Sequence, residues 1–260
     1  MKVEPRLPVG AVVRGVSLDR EGSVDHDVLR EALAEHGVLV LRDQQIDDDA
    51  FVRFLAGFGE LQFTAGETPV PGRADLNVVT NVGRDRAPVS NWHVDTAYVS
   101  SPPAYTALRA VQVPARGGET LFSNQYRAWD DLDPRLGELV AGRTITHGVT
   151  GVDPGAGAQT EAAHPVVRPH PRTGRPALLL DAPARCRRVS GLDDDAAGRL
   201  VAELLAWSTR PDNVWRHRWQ PGDVVIWDNA VVLHRADHAD VVGDRTFHRG
   251  MVSASGYAAG

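Results

Sequence analysis

The amino-acid sequence predicts a mainly β protein with flanking helices, arranged as an antiparallel sandwich or barrel. From residue 76 onward, short runs rich in apolar and β-branched residues are separated by Gly, Pro, Asp and Asn, which is typical of antiparallel strands joined by turns. Only a few stretches show helical periodicity. The chain has 260 residues, 42% of them hydrophobic, so it can bury a large core as one domain spanning residues 1–260.

The N-terminal part predicts two helices around a buried strand. Residues 23–37 place apolar side chains on one stripe, with Ser23 as the candidate N-cap and Gly37 as the stop. The run GVLVLRDQ (37–44) then predicts a buried strand. Residues 47–61 predict a second helix, because their acidic first turn favours the helix dipole.

The rest of the chain predicts nine strands and two more helices. The helices are expected at about residues 125–141 and 193–208. The Gly- and Ala-rich segment 148–165 predicts a mobile loop. The nine strand runs are LNVVTNV (76–82), AYTALRAVQV (104–113), TLFSN (120–124), RTITHGV (143–149), ALLLD (177–181), NVWRHRW (213–219), DVVIWDN (223–229), VVLHRA (231–236) and RTFHRGMV (245–252).

Composition and charge narrow the classes of function. The formal net charge of −6 gives no general electrostatic reason to bind nucleic acid or an anionic membrane, so the expected partner is a small molecule. Lys2 is the only lysine, which excludes a P-loop lysine and an internal Schiff base. With Cys186 as the single cysteine and no long apolar run at the N-terminus, we expect a cytoplasmic protein without a disulfide. The sequence leaves homo-oligomerisation open.

The stretch NWHVDTAY (91–98) carries the first candidate metal ligands. His93 and Asp95 stand two apart, and alternate side chains of an extended segment point to the same side. His234 ends a downstream apolar run and can complete a 2-His-1-carboxylate triad, which leaves three positions of a ferrous ion open for substrate and oxygen. His238 lies in a polar loop and is expected to be exposed. A structural histidine beside a solvated aspartate is the alternative for His93 and Asp95.

An ordered set of motifs resembles the Fe(II)/2-oxoglutarate-dependent dioxygenases of the taurine dioxygenase (TauD/TfdA) family. The motifs cover nearly the whole chain in that family's order: GVLVLRDQ, FGEL, NWHVDTAY, PPAYTALRA, GGETLFSN, HPVVRPHPRTGRPALLL, WDNAVVLHRA and HRG. The resemblance implies a double-stranded β-helix, a cupin-like jelly roll of two facing sheets. We expect the N-terminal helices and the 193–208 helix to cover one outer face. Because fold alone does not establish chemistry, a non-catalytic jelly roll that binds a metal or small ligand is the alternative function.

The resemblance also implies roles for individual residues. His93, Asp95 and His234 would hold Fe(II), and Arg249 would bind the distal carboxylate of 2-oxoglutarate with help from Thr120 of GGET. The paired N–H groups of an arginine fit a carboxylate better than a point-charge amine does.

The alternation of side chains along a strand predicts which face each basic residue of the last strand run lies on. His248 and Arg249 are adjacent, so His248 faces outward if Arg249 faces inward. Arg245, four residues earlier, can share the inward face and lie near the cofactor or the substrate. Equally, Arg245 can pair with Asp244 or Asp240.

The resemblance implies a reaction in which O2 and 2-oxoglutarate are consumed, succinate and CO2 are formed, and an unactivated C–H bond of a small molecule is oxidised, most simply by hydroxylation. Asp95 stands where related halogenases have a small residue that binds no metal, so we expect no halogenation. The segment QFTAGETP (62–69) lacks the histidine and tyrosine of the taurine enzyme, so taurine is not the expected substrate, and the short 148–165 segment favours a larger one. Arg185, Arg187 and Arg188 are interpreted as a solvated cluster rather than an anion site.

Overall fold

The structure is a computed structural model that describes residues 1–84 and 90–257. The strands in these residues are β1 (Lys2–Pro5), β2 (Ala11–Arg14), β3 (Val38–Leu41), β4 (Leu61–Gln62), β5 (Pro69–Val70), β6 (Arg73–Thr80), β7 (Tyr105–Gln112), β8 (Thr120–Asn124), β9 (Thr144–Gly148), β10 (Glu161–Pro165), β11 (Val167–Pro169), β12 (Pro176–Leu178), β13 (Cys186–Val189), β14 (Val214–His217), β15 (Val224–Asp228), β16 (Val232–Ala236) and β17 (Thr246–Val252). The α-helices are α1 (His26–His36), α2 (Asp48–Ala56), α3 (Gln125–Asp130), α4 (Pro134–Val140) and α5 (Asp194–Ser208). Short 3-10 turns cover Pro183–Arg185, Pro211–Asn213 and Ala254–Tyr257.

Two facing β-sheets form the centre of the fold. The larger sheet has the strand order β1-β2-β3-β15-β7-β17-β6-β5, with β4 also paired to β17. The smaller sheet has the order β14-β8-β16, and all its pairs are antiparallel. Two further small sheets, β10-β9-β13 and β11-β12, lie beside them. This arrangement agrees with the predicted mainly β jelly roll.

Strand β15 shows how the two sides of the larger sheet are divided. Val224 and Ile226 pack with helices α1 and α2 in one apolar cluster. Val225 and Trp227 point the other way and pack with Phe122 of the smaller sheet. Successive side chains of a strand alternate between faces, so one run of apolar residues supplies both layers of the core. Polar side chains that face between the sheets therefore meet in an otherwise apolar interior.

The first helix begins two residues later than the sequence predicts. Asp25, not Ser23, is the N-cap of α1, and its carboxylate accepts hydrogen bonds from the backbone N–H groups of Asp27 and Val28. The Ser23 hydroxyl instead donates to the backbone carbonyl of Ser17. Both residue types are good N-caps, and the loop before the helix decides between them. The predicted end of this helix at residue 37 is confirmed. The strand predicted at 37–44 and the helix predicted at 47–61 are both present but shorter, at 38–41 and 48–56.

The predicted helix at 125–141 is wrong as a single element, because the chain forms α3 and α4 with a break between them. Asp133 caps α4 by accepting from the backbone N–H of Arg135, and Pro134 occupies the first turn. A proline lacks the N–H that a continuous helix needs but is well suited to the first turn of a new one.

The predicted position of the 193–208 helix is also wrong. Helix α5 is present, but it contacts α3 and β13 instead of sharing a face with α1 and α2. Its apolar residues Leu200, Val201 and Leu204 belong to a third cluster that includes Val94 and Leu233. Apolar periodicity identifies the buried stripe of a helix but not the surface against which it packs.

The predicted loop at 148–165 is partly a strand. Residues 161–165 form β10, which pairs with β9 and shows alternating exposed and buried side chains. The irregular connection is therefore 149–160. None of the helices in the described parts of the chain is long and apolar enough to span a bilayer.

Candidate active site

His93, Asp95 and His234 converge between the two sheets. The chain segment after β6 carries His93 and Asp95, and β16 carries His234. The backbones of His93 and His234 exchange two hydrogen bonds of 3.0 Å, which fixes the two segments side by side. One potential ligand atom from each of the three side chains lies within 4.8 Å of the others, and no other such His, Cys, Asp or Glu group occurs in residues 1–84 and 90–257. The structure thus brings the three predicted ligands together.

The three side chains are held in the protonation states that a metal requires. Burial, followed by the neighbouring His234, lowers the pKa of His93 to about 4. Burial also lowers the pKa of His234. Burial alone would raise the pKa of Asp95, but the electrostatic influence of His234 and Arg249 outweighs it and lowers that pKa to about 2. At neutral pH the group therefore consists of two neutral imidazoles and one carboxylate, the forms that bind metal ions.

The surrounding hydrogen bonds leave ligand atoms free. The Nδ1 atom of His93 lies 2.8 Å from the backbone oxygen of Asn91, so it carries the proton and leaves Nε2 as an acceptor. Oδ2 of Asp95 is buried without a hydrogen-bond partner among the described residues. The ring of Trp227 packs against His234 with centroids 4.6 Å apart. A buried carboxylate oxygen without a donor is costly, and a cation between these residues would satisfy it.

Thr120 and Arg245 lie in the same part of the site. Both are only 2% exposed. The indole N–H of Trp219 donates to Thr120 Oγ1 at 3.0 Å, so the threonine can give its own hydroxyl proton to a ligand. Arg245 Nε donates to the backbone oxygen of Gly118 at 3.0 Å. Gly118 is the second glycine of GGET and has φ +75°, a conformation that favours glycine. A Cβ there would also lie only 3.0 Å from Arg245 Cδ, so glycine leaves room for the arginine side chain.

Arg245 carries a buried charge that has no carboxylate partner within residues 1–84 and 90–257. Burial lowers its pKa to about 10, so the guanidinium remains charged at neutral pH. No salt bridge joins it to Asp240, Asp244 or any other carboxylate of the described residues. Its guanidinium lies over the Phe247 ring, 4.2 Å from the centroid. Of the two predicted positions for Arg245, the structure therefore supports the one facing the site, where a buried cation calls for an anionic ligand.

Arg249 already has carboxylate neighbours. It forms a close ion pair with Glu67 of the loop between β4 and β5. Its Nη1 atom also lies 3.7 Å from Oδ1 of Asp95. Burial acts to lower the pKa of Arg249, but Asp95 and Glu67 outweigh this and raise it. Arg249 therefore lies beside the candidate metal ligands, and its positive charge is balanced by Glu67 and Asp95.

A cavity of about 430 Å³ connects these groups. Its wall includes Arg185 and His238, neither of which was expected there. His238 was predicted to be exposed but is half-buried, because the polar loop after β16 folds back toward Arg245. Arg185 was assigned to a solvated cluster, yet only Arg187 and Arg188 are exposed. The remaining lining residues are Val79, Ser90, Asn91, His93, Leu108, Thr120, Thr150, Gly151, Trp227, His234, Ala236, Arg245 and Arg249.

The outward face of β17 carries His248, as strand parity predicts. Its Nδ1 lies 2.7 Å from Oδ1 of Asp48 on α2, away from the cavity. Glu67, like Arg185 and His238, is a residue near the site that sequence reasoning missed. It lies in a polar stretch without periodicity, and only its pairing with Arg249 distinguishes it from other surface carboxylates.

Comparisons with known proteins identify the family. The sequence profile of the "Taurine catabolism dioxygenase TauD, TfdA family" matches residues 2–251. The alpha-ketoglutarate-dependent 2,4-dichlorophenoxyacetate dioxygenase of Cupriavidus pinatubonensis is 32% identical over 255 residues, covering 88% of this chain and 88% of the relative. The (S)-phenoxypropionate/alpha-ketoglutarate-dioxygenase of Sphingobium herbicidovorans is 31% identical, covering 91% and 88%. The structure of a taurine dioxygenase from Burkholderia xenovorans has a TM-score of 0.84 at 28% identity, covering 97% of this chain and 90% of that one.

These matches extend over nearly the whole chain and agree with the His-Asp-His group and the β fold. The co-substrate alpha-ketoglutarate is 2-oxoglutarate. The chain therefore belongs to the TauD/TfdA family and is an alpha-ketoglutarate-dependent dioxygenase.

Proposed function

We propose that this enzyme uses Fe(II), 2-oxoglutarate and O2 to hydroxylate an unactivated C–H bond of a small molecule. The observation that carries the proposal is the convergence of His93, Asp95 and His234 within 4.8 Å. Their lowered pKa values favour neutral imidazoles and an ionised carboxylate at neutral pH. Two imidazoles and one carboxylate on one side of an ion are the donor set of the non-heme ferrous oxygenases. The Oδ2 atom of Asp95, which is buried and has no hydrogen-bond partner in the described parts of the chain, supports the fit.

The overall reaction balances with one molecule of each reactant. One oxygen atom of O2 enters the carboxylate of succinate as 2-oxoglutarate loses CO2, and the other enters the C–H bond of the substrate as a hydroxyl group. A ferrous ion held by the three ligands would supply the electrons that activate O2. The protein residues hold the co-substrate, place the C–H bond and exclude bulk water. Trp227, which is 1% exposed and packs against His234, contributes to that dry wall.

We further propose that Arg245 and Thr120 bind the distal carboxylate of 2-oxoglutarate. Arg245 is a buried cation without a carboxylate partner among the described residues, and Thr120 has a free hydroxyl donor in the same cavity. The sequence favoured Arg249 for this role. The ion pair of Arg249 with Glu67 and its 3.7 Å approach to Asp95 instead support a position next to the metal and the substrate.

A titration of the two arginine variants tests this assignment. Fe(II) and 2-oxoglutarate are titrated anaerobically into the parent, Arg245→Ala and Arg249→Ala, and the visible charge-transfer band of the complex is followed. Loss of a hydrogen-bonded charge partner costs on the order of 2–5 kcal/mol, so we expect the Kd for 2-oxoglutarate to rise roughly 30-fold or more in Arg245→Ala. Fe(II) binding should stay close to that of the parent. A larger loss of 2-oxoglutarate affinity in Arg249→Ala would return the anchor role to Arg249.

The proposed reaction itself is tested by a substrate screen scored by succinate release. The screen should include carboxylates and sulfate esters, since relatives are named for phenoxypropionate, 2,4-dichlorophenoxyacetate and sulfate esters. We expect hydroxylated product and succinate in equal amounts, both dependent on added Fe(II). If the charge-transfer band never forms with Fe(II) and 2-oxoglutarate, the iron assignment is wrong.

A further inference from the structure

The backbone begins a turn at Asp95, the candidate carboxylate ligand. The next residue, Thr96, has φ +46°, in the left-handed region that a β-branched residue rarely adopts. Its Oγ1 atom is buried without a hydrogen-bond partner among the described residues. The backbone N–H of Val99 closes the turn by donating to the backbone oxygen of Thr96 at 3.0 Å. Because such a conformation is strained, it persists only where surrounding contacts hold it.

His164, on β10 of the small β10-β9-β13 sheet, provides such a contact. Its Nε2 atom lies 2.9 Å from the backbone oxygen of Ala97 and 3.0 Å from that of Val99. Carbonyl oxygens only accept hydrogen bonds, so Nε2 carries the proton and donates to both. The side chain of His164 is only 8% exposed, so water competes little for these two oxygens. One imidazole therefore holds both ends of the second half of the turn.

We propose that His164 is a positioning residue for the metal centre. By holding the backbone at Ala97 and Val99, its N–H fixes the turn that directs the Asp95 carboxylate toward the two histidine ligands. His164 is not a member of the cluster of candidate ligands, so it acts through the backbone and not on the ion. The inference rests on the proposed function, because it takes Asp95 as a metal ligand.

The residues before Asp95 are held by other contacts. The backbones of His93 and His234 exchange two hydrogen bonds, and the backbone oxygen of Trp92 accepts from the N–H of Ala182 at 3.0 Å. None of these bonds involves His164. Loss of the imidazole N–H should therefore loosen the turn after Asp95 and leave His93 in place.

Three substitutions of His164 separate the donor from the shape of the side chain. His164→Leu removes the N–H. His164→Gln places an amide N–H₂ close to the position of Nε2, and His164→Asn has the same amide on a side chain one carbon shorter. His26→Leu is the matched control, because His26 Nε2 lies 2.9 Å from the backbone oxygen of Phe54, between α1 and α2 and outside the cavity.

Co(II), a spectroscopic substitute for Fe(II), is titrated into each metal-free protein, and its visible d–d bands are followed. We expect the Kd for Co(II) to rise about tenfold in His164→Leu and His164→Asn, since groups that orient metal ligands typically change metal affinity by about 10- to 100-fold. The bands at saturating Co(II) should also change in these two variants. His164→Gln should restore both the Kd and the spectrum, and His26→Leu should match the parent in both.

Hydrogen exchange of the metal-free proteins, resolved by NMR at single amides, reports on the turn without any metal. The amide of Val99 should exchange at least about fivefold faster in His164→Leu than in the parent, because the turn opens more often. The amide of His93, bonded to His234, should keep its rate. If His164→Leu does not fold, the comparison of His164→Asn with His164→Gln gives the same test.

Four results would overturn the role of His164. They are an unchanged Kd and spectrum in His164→Leu and His164→Asn, equal losses in all three His164 variants, an equal loss in His26→Leu, and an unchanged exchange rate at Val99. Failure of the parent itself to bind Co(II) would instead overturn the proposed metal centre.

Discussion

At the scale of single residues, burial decides the chemistry of the site. The same desolvation that lowers the pKa values of His93 and His234 leaves their imidazoles neutral, and the nearby charges keep Asp95 ionised. All three groups therefore stay deprotonated at neutral pH, the imidazoles neutral and the carboxylate negatively charged, and both forms favour metal binding. The two arginines of the last strand run differ in their neighbours. Arg245 is buried and lacks a carboxylate partner in the described residues, whereas Arg249 pairs with Glu67.

Replacement of Asp95 tests the metal assignment at this scale. We expect Asp95→Ala to lower Fe(II) affinity roughly 100-fold or more, because it removes the one anionic ligand, and to abolish coupled succinate release. The far-UV circular dichroism spectrum of the metal-free variant should match that of the parent, which separates loss of a metal ligand from loss of the fold. Asp75→Ala, at a partly exposed carboxylate on β6, is the control. Near-parental coupled turnover in Asp95→Ala would refute the ligand set.

At the scale of elements, a polar cluster joins α2 to the outer face of the larger sheet. Asp48, the first residue of α2, accepts a hydrogen bond of 2.7 Å from Arg109 on β7, and His248 of β17 lies 2.7 Å from the same oxygen. Each of the three side chains is at most 21% exposed. His248, the neighbour of Arg249 on β17, therefore links this strand to α2. Helix and strand positions are therefore coupled.

Substitution of Asp48 should reduce stability in a pH-dependent way. Burial acts to raise the pKa of Asp48, but its hydrogen bonds with His248 and Arg109 lower it overall. A carboxyl group whose pKa is lowered on folding contributes stability above its unfolded pKa of about 3.9 and loses that contribution as the pH falls through the folded value. We expect Asp48→Asn to lower the free energy of unfolding by roughly 1–3 kcal/mol at pH 7.

Urea unfolding of the parent and Asp48→Asn at a series of pH values checks this expectation. The difference between the two proteins should be constant from pH 7 to about pH 5.5 and should shrink below about pH 4. No difference at pH 7, or a difference that persists unchanged well below pH 4, would show that the carboxylate of Asp48 does not stabilise the fold.

At the scale of the whole molecule, the site lies where the two sheets meet. The smaller sheet supplies His234 through β16 and Thr120 through β8, and β17 of the larger sheet supplies Arg249. Ligands bound there would contact both sheets at once. Since such ligands bind the folded chain and not the unfolded one, binding should stabilise the whole fold.

Thermal unfolding with and without ligands tests this coupling. At saturating Mn(II), a 2-oxoglutarate concentration of 100 times its Kd should add about 2.7 kcal/mol, which corresponds to a rise in Tm of roughly 5–10 °C for a chain of this size. EDTA should reverse the shift. An unchanged Tm at that concentration would show that 2-oxoglutarate does not bind this site in the folded protein.

The β fold, the two N-terminal helices and the residues that converge as candidate metal ligands could be predicted from the sequence. Apolar alternation, cap residues and the H-x-D spacing are local, and the order of motifs along the chain resembled one family. The packing surface of α5, the strand at 161–165 and the carboxylate neighbours of Arg185, Arg245 and Arg249 became known from the three-dimensional structure. Those features depend on contacts between residues far apart in sequence, such as Glu67 with Arg249, and on burial, which changes the energy of a charge according to the groups around it.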